Sequence, residues 1–92
     1  MQIYAYDMGE GKRFRYMVYY TIGNLWCSCE VSEDGACISR RPKRNKPKLP
    51  PENATPVKYA SLPMPVCQAV AYSIRGRLAR AAGNVKKAGG SS

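Results

Sequence analysis

The hydrophobic positions in the first third of the chain fall into short runs of β-branched and aromatic residues, separated by turns that contain glycine. Residues 12–32, KRFRYMVYYTIGNLWCSCEVS, form two such runs around Gly23-Asn24, a dipeptide typical of a type II′ hairpin turn. If Ile22 pairs with Leu25, one face of the hairpin is continuously apolar and the other is mixed. The expected apolar pairs are Tyr20 with Cys27, Val18 with Cys29 and Tyr16 with Val31.

The turn after this hairpin, SEDGA at residues 32–36, leaves two registers open. A two-residue loop, DG, places Ile38 opposite Val31 on the apolar face. A three-residue loop, EDG, places Cys37 there instead and leaves Ile38 beside Glu30 on the outer face. We favour the two-residue loop, because it buries the larger side chain.

Two further segments extend the hairpin into a meander. QIYAYDM, residues 2–8, predicts a first strand joined to the hairpin through GEG, and VKYAS, residues 57–61, predicts a short edge strand. Residues 40–56 predict a stiff, extended connection, because each proline lacks a donor for a sheet and restricts the residue before it. Its prolines are Pro42, Pro47, Pro50, Pro51 and Pro56.

The remaining hydrophobic pattern has the period of a helix. PMPVCQAVAYSIRGRLARAAGN predicts a helix that opens near Pro65 and closes at Gly83. Its apolar stripe is able to cover the apolar face of the sheet, since Val66, Val70, Ile74 and Leu78 recur at every fourth position.

We therefore expect a single α+β domain over residues 1–92. Its antiparallel meander sheet, over residues 2–41, has four strands, or five with the edge segment, and one C-terminal amphipathic helix packs on the apolar face. The expected boundaries are a basic proline-rich connection at 40–56, a helix at about 64–82 and a flexible tail at 84–92.

Charge adds the first indication of function. The chain carries 15 Lys and Arg against 6 Asp and Glu, with a formal net charge of +9. Residues 1–34 hold three of the cations and five of the acids, so the basic surface belongs to the second half. An excess of this size favours a polyanionic partner.

Other classes of function are disfavoured by what the sequence lacks. The chain has no His, which excludes a histidine base and its Ser or Cys partners, and we expect no enzyme activity, cofactor or small-molecule substrate. It has no apolar run of membrane-spanning length and no signal-peptide pattern, so we expect a cytoplasmic protein with no membrane partner.

The four cysteines allow two interpretations. Cys27, Cys29, Cys37 and Cys67 contain enough thiols for a zinc-stabilised interaction module. Their spacing matches no recognised zinc pattern, and the favoured turn register sends Cys37 to the face opposite Cys27 and Cys29. We favour reduced cysteines, with Cys27, Cys29 and Cys67 packed as small apolar core residues, and no metal site.

Aromatic and basic side chains form the candidate binding residues. On the outer face of the hairpin, Tyr19 and Trp26, with Arg13 and Arg15 beside them, are candidates to stack on bases or to anchor a protein partner, or else simply to pack under the connection. RRPKRNKPK, residues 40–48, places six cations in nine positions, and the helix adds three arginines with no acid on the helix to pair with them. The expected polyanion contacts are Arg40, Arg41, Lys43, Arg44, Lys46, Lys48, Arg75, Arg77 and Arg80.

A small basic chain with this order of parts resembles the phage-encoded anti-CRISPR proteins. The likeness spans the hairpins KRFRYMVYYTIGNLWCSCEVS, the basic connection RRPKRNKPK and the helix VCQAVAYSIRGRLARAA. It implies a stoichiometric inhibitor of the type I-F CRISPR-Cas surveillance complex, acting in the bacterial host cytoplasm. Such an inhibitor contacts Cas proteins and guide RNA and blocks target DNA binding. The alternative is a free-standing phage protein that binds single-stranded RNA or DNA, or regulates through it.

Overall fold

The structure, a computed structural model, describes residues 1–90, and the side chains of residues 1–83. The described residues form five strands, a short 3-10 turn at Tyr59–Ser61 and one helix. The elements are β1 Ile3–Asp7, β2 Tyr16–Ile22, β3 Leu25–Val31, β4 Cys37–Ser39, β5 Thr55–Val57 and α1 Met64–Gly90. The strands form one antiparallel sheet in the order β4-β3-β2-β1-β5. This confirms the predicted α+β class, with a C-terminal helix packed against the sheet.

The central hairpin has the predicted register. Ile22 pairs with Leu25, Tyr20 with Cys27 and Val18 with Cys29. Gly23 adopts a φ of 58°, which a type II′ turn requires at its first central position and which glycine adopts without a steric penalty. Hydrophobic alternation and turn chemistry therefore agree, and together they set the register.

The core lies between the apolar face of the sheet and the first half of α1. Val18 and Val31 from the sheet and Val66 and Val70 from the helix are 0% exposed. Burying a side chain of this size contributes about 1.5–3 kcal/mol. The helical stripe leaves the sheet after Ile74, since Leu78 is 43% exposed.

The favoured register of the β3–β4 turn is wrong. Val31 pairs with Cys37 and Glu30 with Ile38, so the loop has three residues and Ile38 lies on the outer face, 44% exposed. Hydrogen bonds of the turn outweigh burial of one isoleucine. Ser32 receives the Gly35 N–H on its carbonyl at 3.0 Å and the Ala36 N–H on its hydroxyl at 2.9 Å.

Glycine is needed at the third loop position for two reasons. Gly35 has a φ of 98°, in the left-handed region where side chains are strained. A Cβ on Gly35 would also lie 3.1 Å from the carbonyl oxygen of Pro65. The turn therefore packs closely against the start of α1.

The fifth strand exists, at a position different from the predicted one. β5 spans Thr55–Val57 and pairs with β1, Ala5 opposite Val57, whereas we expected a strand at 57–61. Pro56 is tolerated there because an edge strand has one side without ladder partners. The connection from β4 to β5 must consequently pass from one edge of the sheet to the other.

The helix continues past its predicted end. It runs to Gly90, beyond Gly83, so its backbone includes most of the segment expected to be a flexible tail, and residues 91–92 lie outside the described residues. Gly83 lacks the left-handed conformation that would end a helix there. No helix in the described part of the chain combines the length and apolar character needed to cross a membrane.

Candidate nucleic-acid interface

The first basic residues extend the sheet as an edge strand beside β3. Arg40 donates its backbone N–H to the Ser28 carbonyl at 2.9 Å. Lys43 and Trp26 exchange two backbone hydrogen bonds, of 2.7 and 2.9 Å. Between Ser39 and Lys43 the chain has one residue more than β3 opposite it, and this bulge accommodates Pro42, which has no N–H to donate.

Beyond Lys43 the connection crosses the outer face of the sheet. Two tyrosines on that face are largely buried, Tyr6 at 7% and Tyr19 at 9% exposure, and their rings meet edge to face at 6.0 Å. Burial raises the pKa of Tyr19. Part of the outer face, which a bare meander would leave to solvent, is thus buried.

Between the connection and the sheet lies a groove of about 750 Å³, which we call the basic groove. Its floor is formed by Met17, Tyr19 and Trp26, and its wall by residues of the connection up to Pro47. The wall supplies the cations Arg40, Arg41, Lys43 and Lys46. Its volume lies in the range of ordinary ligand sites.

Glu30 is the one acid in the lining among the described residues. It pairs with Arg40, Nη2 to Oε1 at 3.0 Å. Neither Arg41, Lys43 nor Lys46 takes part in an ion pair among the residues that the structure describes. Three cations of the groove are therefore available to an external anion.

Trp26 is the half-buried aromatic platform of the basic groove. Its ring stacks with that of Tyr4 at 5.8 Å and 28° between the planes. Lys46 places its Nζ 6.0 Å from the centre of the Trp26 ring. An aromatic surface beside a cation is the arrangement by which proteins hold a stacked base next to its phosphate. Tyr19 contributes floor area, but its burial leaves little of its ring to stack on.

The remaining predicted contacts divide into three groups. Arg44 and Lys48 lie exposed on the connection, outside the lining of the basic groove. Arg77 joins the helix to the groove, because its Nη2 donates to the Arg40 carbonyl at 2.7 Å. Arg75 and Arg80 are exposed, and Arg75 points away from Arg77 because residues two apart on a helix face nearly opposite directions.

Arg15 is not a free outer-face cation. It precedes β2 and donates to Asp7 at 2.9 Å and to Glu33 at 2.6 Å. The Arg15 hydrogen bonds hold the pKa of Asp7 below its usual range. Arg15 therefore connects the β1–β2 turn with the β3–β4 turn.

A second groove, of about 300 Å³, adjoins the first at the β1–β2 turn. We call it the turn groove. It is lined by Met8, Lys12, Arg13, Phe14 and Pro51, and it shares Met17, Tyr19 and Glu30 with the basic groove. The sequence interpretation missed Lys12 and Phe14 as site residues, although the adjacent KRF triplet combines cations with an aromatic ring.

The three cysteines predicted as small core residues lie in the core or against it. Cys27 and Cys29 are buried, and Cys67 is half-buried with its Sγ 3.4 Å from the Tyr59 carbonyl. Burial raises the pKa of Cys29 to about 12. Cys37 lies on the helix side of β4, not on the opposite face, as a consequence of the three-residue turn. Within the described residues, no three His, Cys, Asp or Glu side chains cluster closely enough to hold a metal ion.

Comparison of the chain with protein-family models, with curated proteins and with solved structures finds no match.

Proposed function

We propose that this protein binds single-stranded nucleic acid, without enzymatic activity, in the basic groove. The observation that carries the proposal is the position of Trp26, whose ring lies in a groove walled by Arg41, Lys43 and Lys46. Unpaired bases can stack on an aromatic ring whatever their sequence, whereas paired bases in a duplex cannot reach a groove floor. Phosphates are held by the cations along the wall.

The fold supports the proposal because it orders the cations before the ligand arrives. Lys43 is held by two backbone hydrogen bonds to Trp26, and Arg40 is held from both sides, by Glu30 and by Arg77. The prolines of the connection also restrict its backbone in the free protein, so that less conformational entropy is lost when a ligand binds. A free basic tail would lose more entropy on binding and would offer no aromatic floor.

Fluorescence provides a direct test, since the chain contains a single tryptophan. A ten-nucleotide oligouridylate is expected to quench Trp26 as it stacks, with an apparent Kd that rises with salt. Three groove cations form no ion pair among the described residues, and they predict a slope at least as steep as about −2.1 in log K against log salt concentration, at about 0.7 per phosphate contact on a single strand. A duplex of the same length, with its bases paired, is expected to leave Trp26 unquenched.

Labelled oligouridylate and fluorescence anisotropy provide the matched control. Replacing Trp26 by Leu removes the stacking surface and is expected to weaken binding by about 1–3 kcal/mol. Replacing the exposed Lys58, which lines neither groove, by Gln is expected to leave binding unchanged. Equal affinities of the Trp26 variant and the unmodified protein would contradict the proposal.

The narrower function implied by the resemblance to anti-CRISPR proteins stays a prediction. In it, the ligand is guide RNA already held by Cas proteins, and tight binding requires those subunits. Titration with naked guide RNA and with an assembled type I-F complex separates the two functions. A free-standing binder has similar affinity for both, whereas an inhibitor binds the complex more tightly and lowers its affinity for target DNA.

A further inference from the structure

The two grooves repeat one arrangement at opposite ends of the outer face. In the basic groove, the Lys46 ammonium lies 6.0 Å from the centre of the Trp26 ring. In the turn groove, the Arg13 guanidinium lies 5.5 Å from the centre of the Phe14 ring. Each groove therefore contains an aromatic ring with a cation placed over it.

The grooves also lie next to each other. They share the side chains of Met17, Tyr19 and Glu30, and the connection forms one wall of each, through Pro47 in the basic groove and Pro51 in the turn groove. The two grooves therefore meet at these three residues of the sheet.

The charges of the turn groove suit the same class of ligand. Lys12 and Arg13 are exposed at its rim, and no ion pair among the described residues includes either of them. Glu30 is again the one acid in the lining within that part of the chain. Apolar Met8, Phe14 and Pro51 supply a surface for the flat faces of a base.

We infer that the turn groove is a second base-stacking subsite, built on Phe14, Lys12 and Arg13, and that one single strand of nucleic acid occupies both grooves. This inference rests on the proposed function, which it deepens by fixing the extent and path of the ligand. The nucleic acid runs along β2 on the outer face, between the sheet and the connection. Its phosphates face the cations at both rims, away from Glu30.

The geometry sets a minimum size for the ligand. Thr21, opposite Trp26, lies five residues from Tyr16 at the start of β2. At a rise of about 3.3 Å per residue, the two ends of the outer face are about 17 Å apart. A stacked single strand with about 3.4 Å per nucleotide spans this distance in about five nucleotides. A dinucleotide reaches one groove, and a strand of ten reaches both.

The test is a length series of oligouridylates from two to twelve nucleotides on the full chain. Affinity is expected to rise steeply until both grooves are filled and to level off beyond that length. The variant Lys12→Gln/Arg13→Gln changes two exposed side chains. It is expected to reduce the salt slope for the ten-nucleotide strand by about 1.4 and to leave quenching of Trp26 by the dinucleotide unchanged.

Phe14→Leu tests stacking separately from charge. Loss of one stacked base predicts about a 5- to 150-fold weaker affinity for the ten-nucleotide strand, with unchanged quenching of Trp26 by the dinucleotide. Thermal unfolding of each variant checks the fold, and the charge variant keeps the test valid if the half-buried Phe14 proves necessary for folding.

The outcomes separate the two proposals. Quenching of Trp26 by short and long strands, with full affinity in both turn-groove variants, overturns the second subsite and leaves the basic groove in place. Absence of binding by any oligouridylate overturns the proposed function and the second subsite together. Length-dependent losses in the turn-groove variants support both.

Discussion

Arg77 and Arg40, 37 positions apart in the sequence, meet where the helix passes the β4 edge of the sheet. The Arg77 guanidinium donates to the Arg40 carbonyl at 2.7 Å, while the Arg40 guanidinium turns to Glu30 on the other face. The hydrogen bond joins the helix on one face of the sheet to the basic groove on the other. An arginine expected to meet a ligand directly therefore positions the wall of the site.

Removing this hydrogen bond is expected to affect both stability and binding. Arg77→Ala should lower the free energy of unfolding by about 1 kcal/mol, since a hydrogen bond to a backbone carbonyl is lost at a partly exposed position. It should also weaken oligonucleotide binding, because the first residues of the connection are less ordered. Urea unfolding and anisotropy titrations measure the two effects. Arg80→Ala, at an exposed position on the same helix, is the control, and an equal effect there would show that charge alone matters.

Two double variants within the connection separate groove contacts from general charge. Lys43→Gln/Lys46→Gln removes two cations of the groove lining, and Arg44→Gln/Lys48→Gln removes two cations outside it. The first pair should reduce the salt slope for single strands by about 1.4, and the second should change affinity and slope far less. Anisotropy titrations at several salt concentrations measure both. Identical slopes for the two variants would mean that the connection attracts nucleic acid only through net charge.

Glu30 lies in both grooves and opposes an anionic ligand. Glu30→Gln removes the acid and releases Arg40 from its ion pair. Affinity for single-stranded nucleic acid should therefore increase, by up to about 5-fold, since one partly exposed charge contributes about 1 kcal/mol at most. Stability should fall by no more than about 1 kcal/mol, because the pair is partly exposed. The same titrations measure the change in affinity. Weaker binding in this variant would contradict repulsion by Glu30 and would indicate that its carboxylate accepts a hydrogen bond from the ligand.

A chain of hydroxyl groups connects the core with the β4 edge. The Tyr20 hydroxyl, buried, lies 3.0 Å from Ser73 Oγ, which lies 3.0 Å from Ser39 Oγ. Ser73→Ala leaves the Tyr20 hydroxyl unsatisfied and should cost about 1–3 kcal/mol. Adding Tyr20→Phe removes the unsatisfied group and should recover part of that loss. Chemical unfolding of both single variants and the double variant measures the coupling energy between the Tyr20 and Ser73 hydroxyls. Strictly additive losses in the free energy of unfolding would contradict this hydrogen bond.

Alkaline pH should destabilise the fold through its buried thiols. Burial raises the pKa of Cys29 from 9.0 to about 12, so the unfolded chain releases this proton at lower pH than the folded chain does. The contribution of this pKa shift to the free energy of unfolding is fully present below about pH 9. It is lost as pH rises toward 12, by up to about 1.4 kcal/mol per pH unit for one group. Unfolding curves between pH 8 and 11 measure it. Cys29→Ala should show a shallower decline, and an unchanged slope would contradict the assignment to this thiol.

The parts of the fold that follow from side-chain patterns could be predicted from the sequence. The β2–β3 register follows from the alternation of large residues and the glycine of the turn, and the helical stripe from Val66 and Val70. The next turn could not be decided by burial of Ile38, because Ser32 accepts two backbone hydrogen bonds in the observed register that stabilise the turn itself. Such local bonds depend on the geometry of the loop, which composition does not reveal.

Most residues that line the basic groove could be predicted from the sequence, but their positions relative to one another could not. RRPKRNKPK contains all the cations of the basic groove, and the alternation of the hairpin places Trp26 on the outer face as a candidate for stacking. Lys12 and Phe14 were missed, because their relation to the connection depends on the path of a proline-rich segment without hydrophobic periodicity. The pairing of β5 with β1 fixes that path, and it joins residues about 50 positions apart in the sequence.

In the proposed site, the connection affects the size of the groove, whereas the side chains of the sheet determine which chemical groups the floor can contact. One end is fixed where Lys43 pairs with Trp26, and the other where Thr55 pairs with Asp7. The number of residues between these two positions determines the distance between the wall of the groove, which the connection forms, and the floor. Inserting or deleting residues there would widen or narrow the site while the core, the helix and the aromatic floor stayed the same. A sheet of this design could change the size of its ligand by loop length alone.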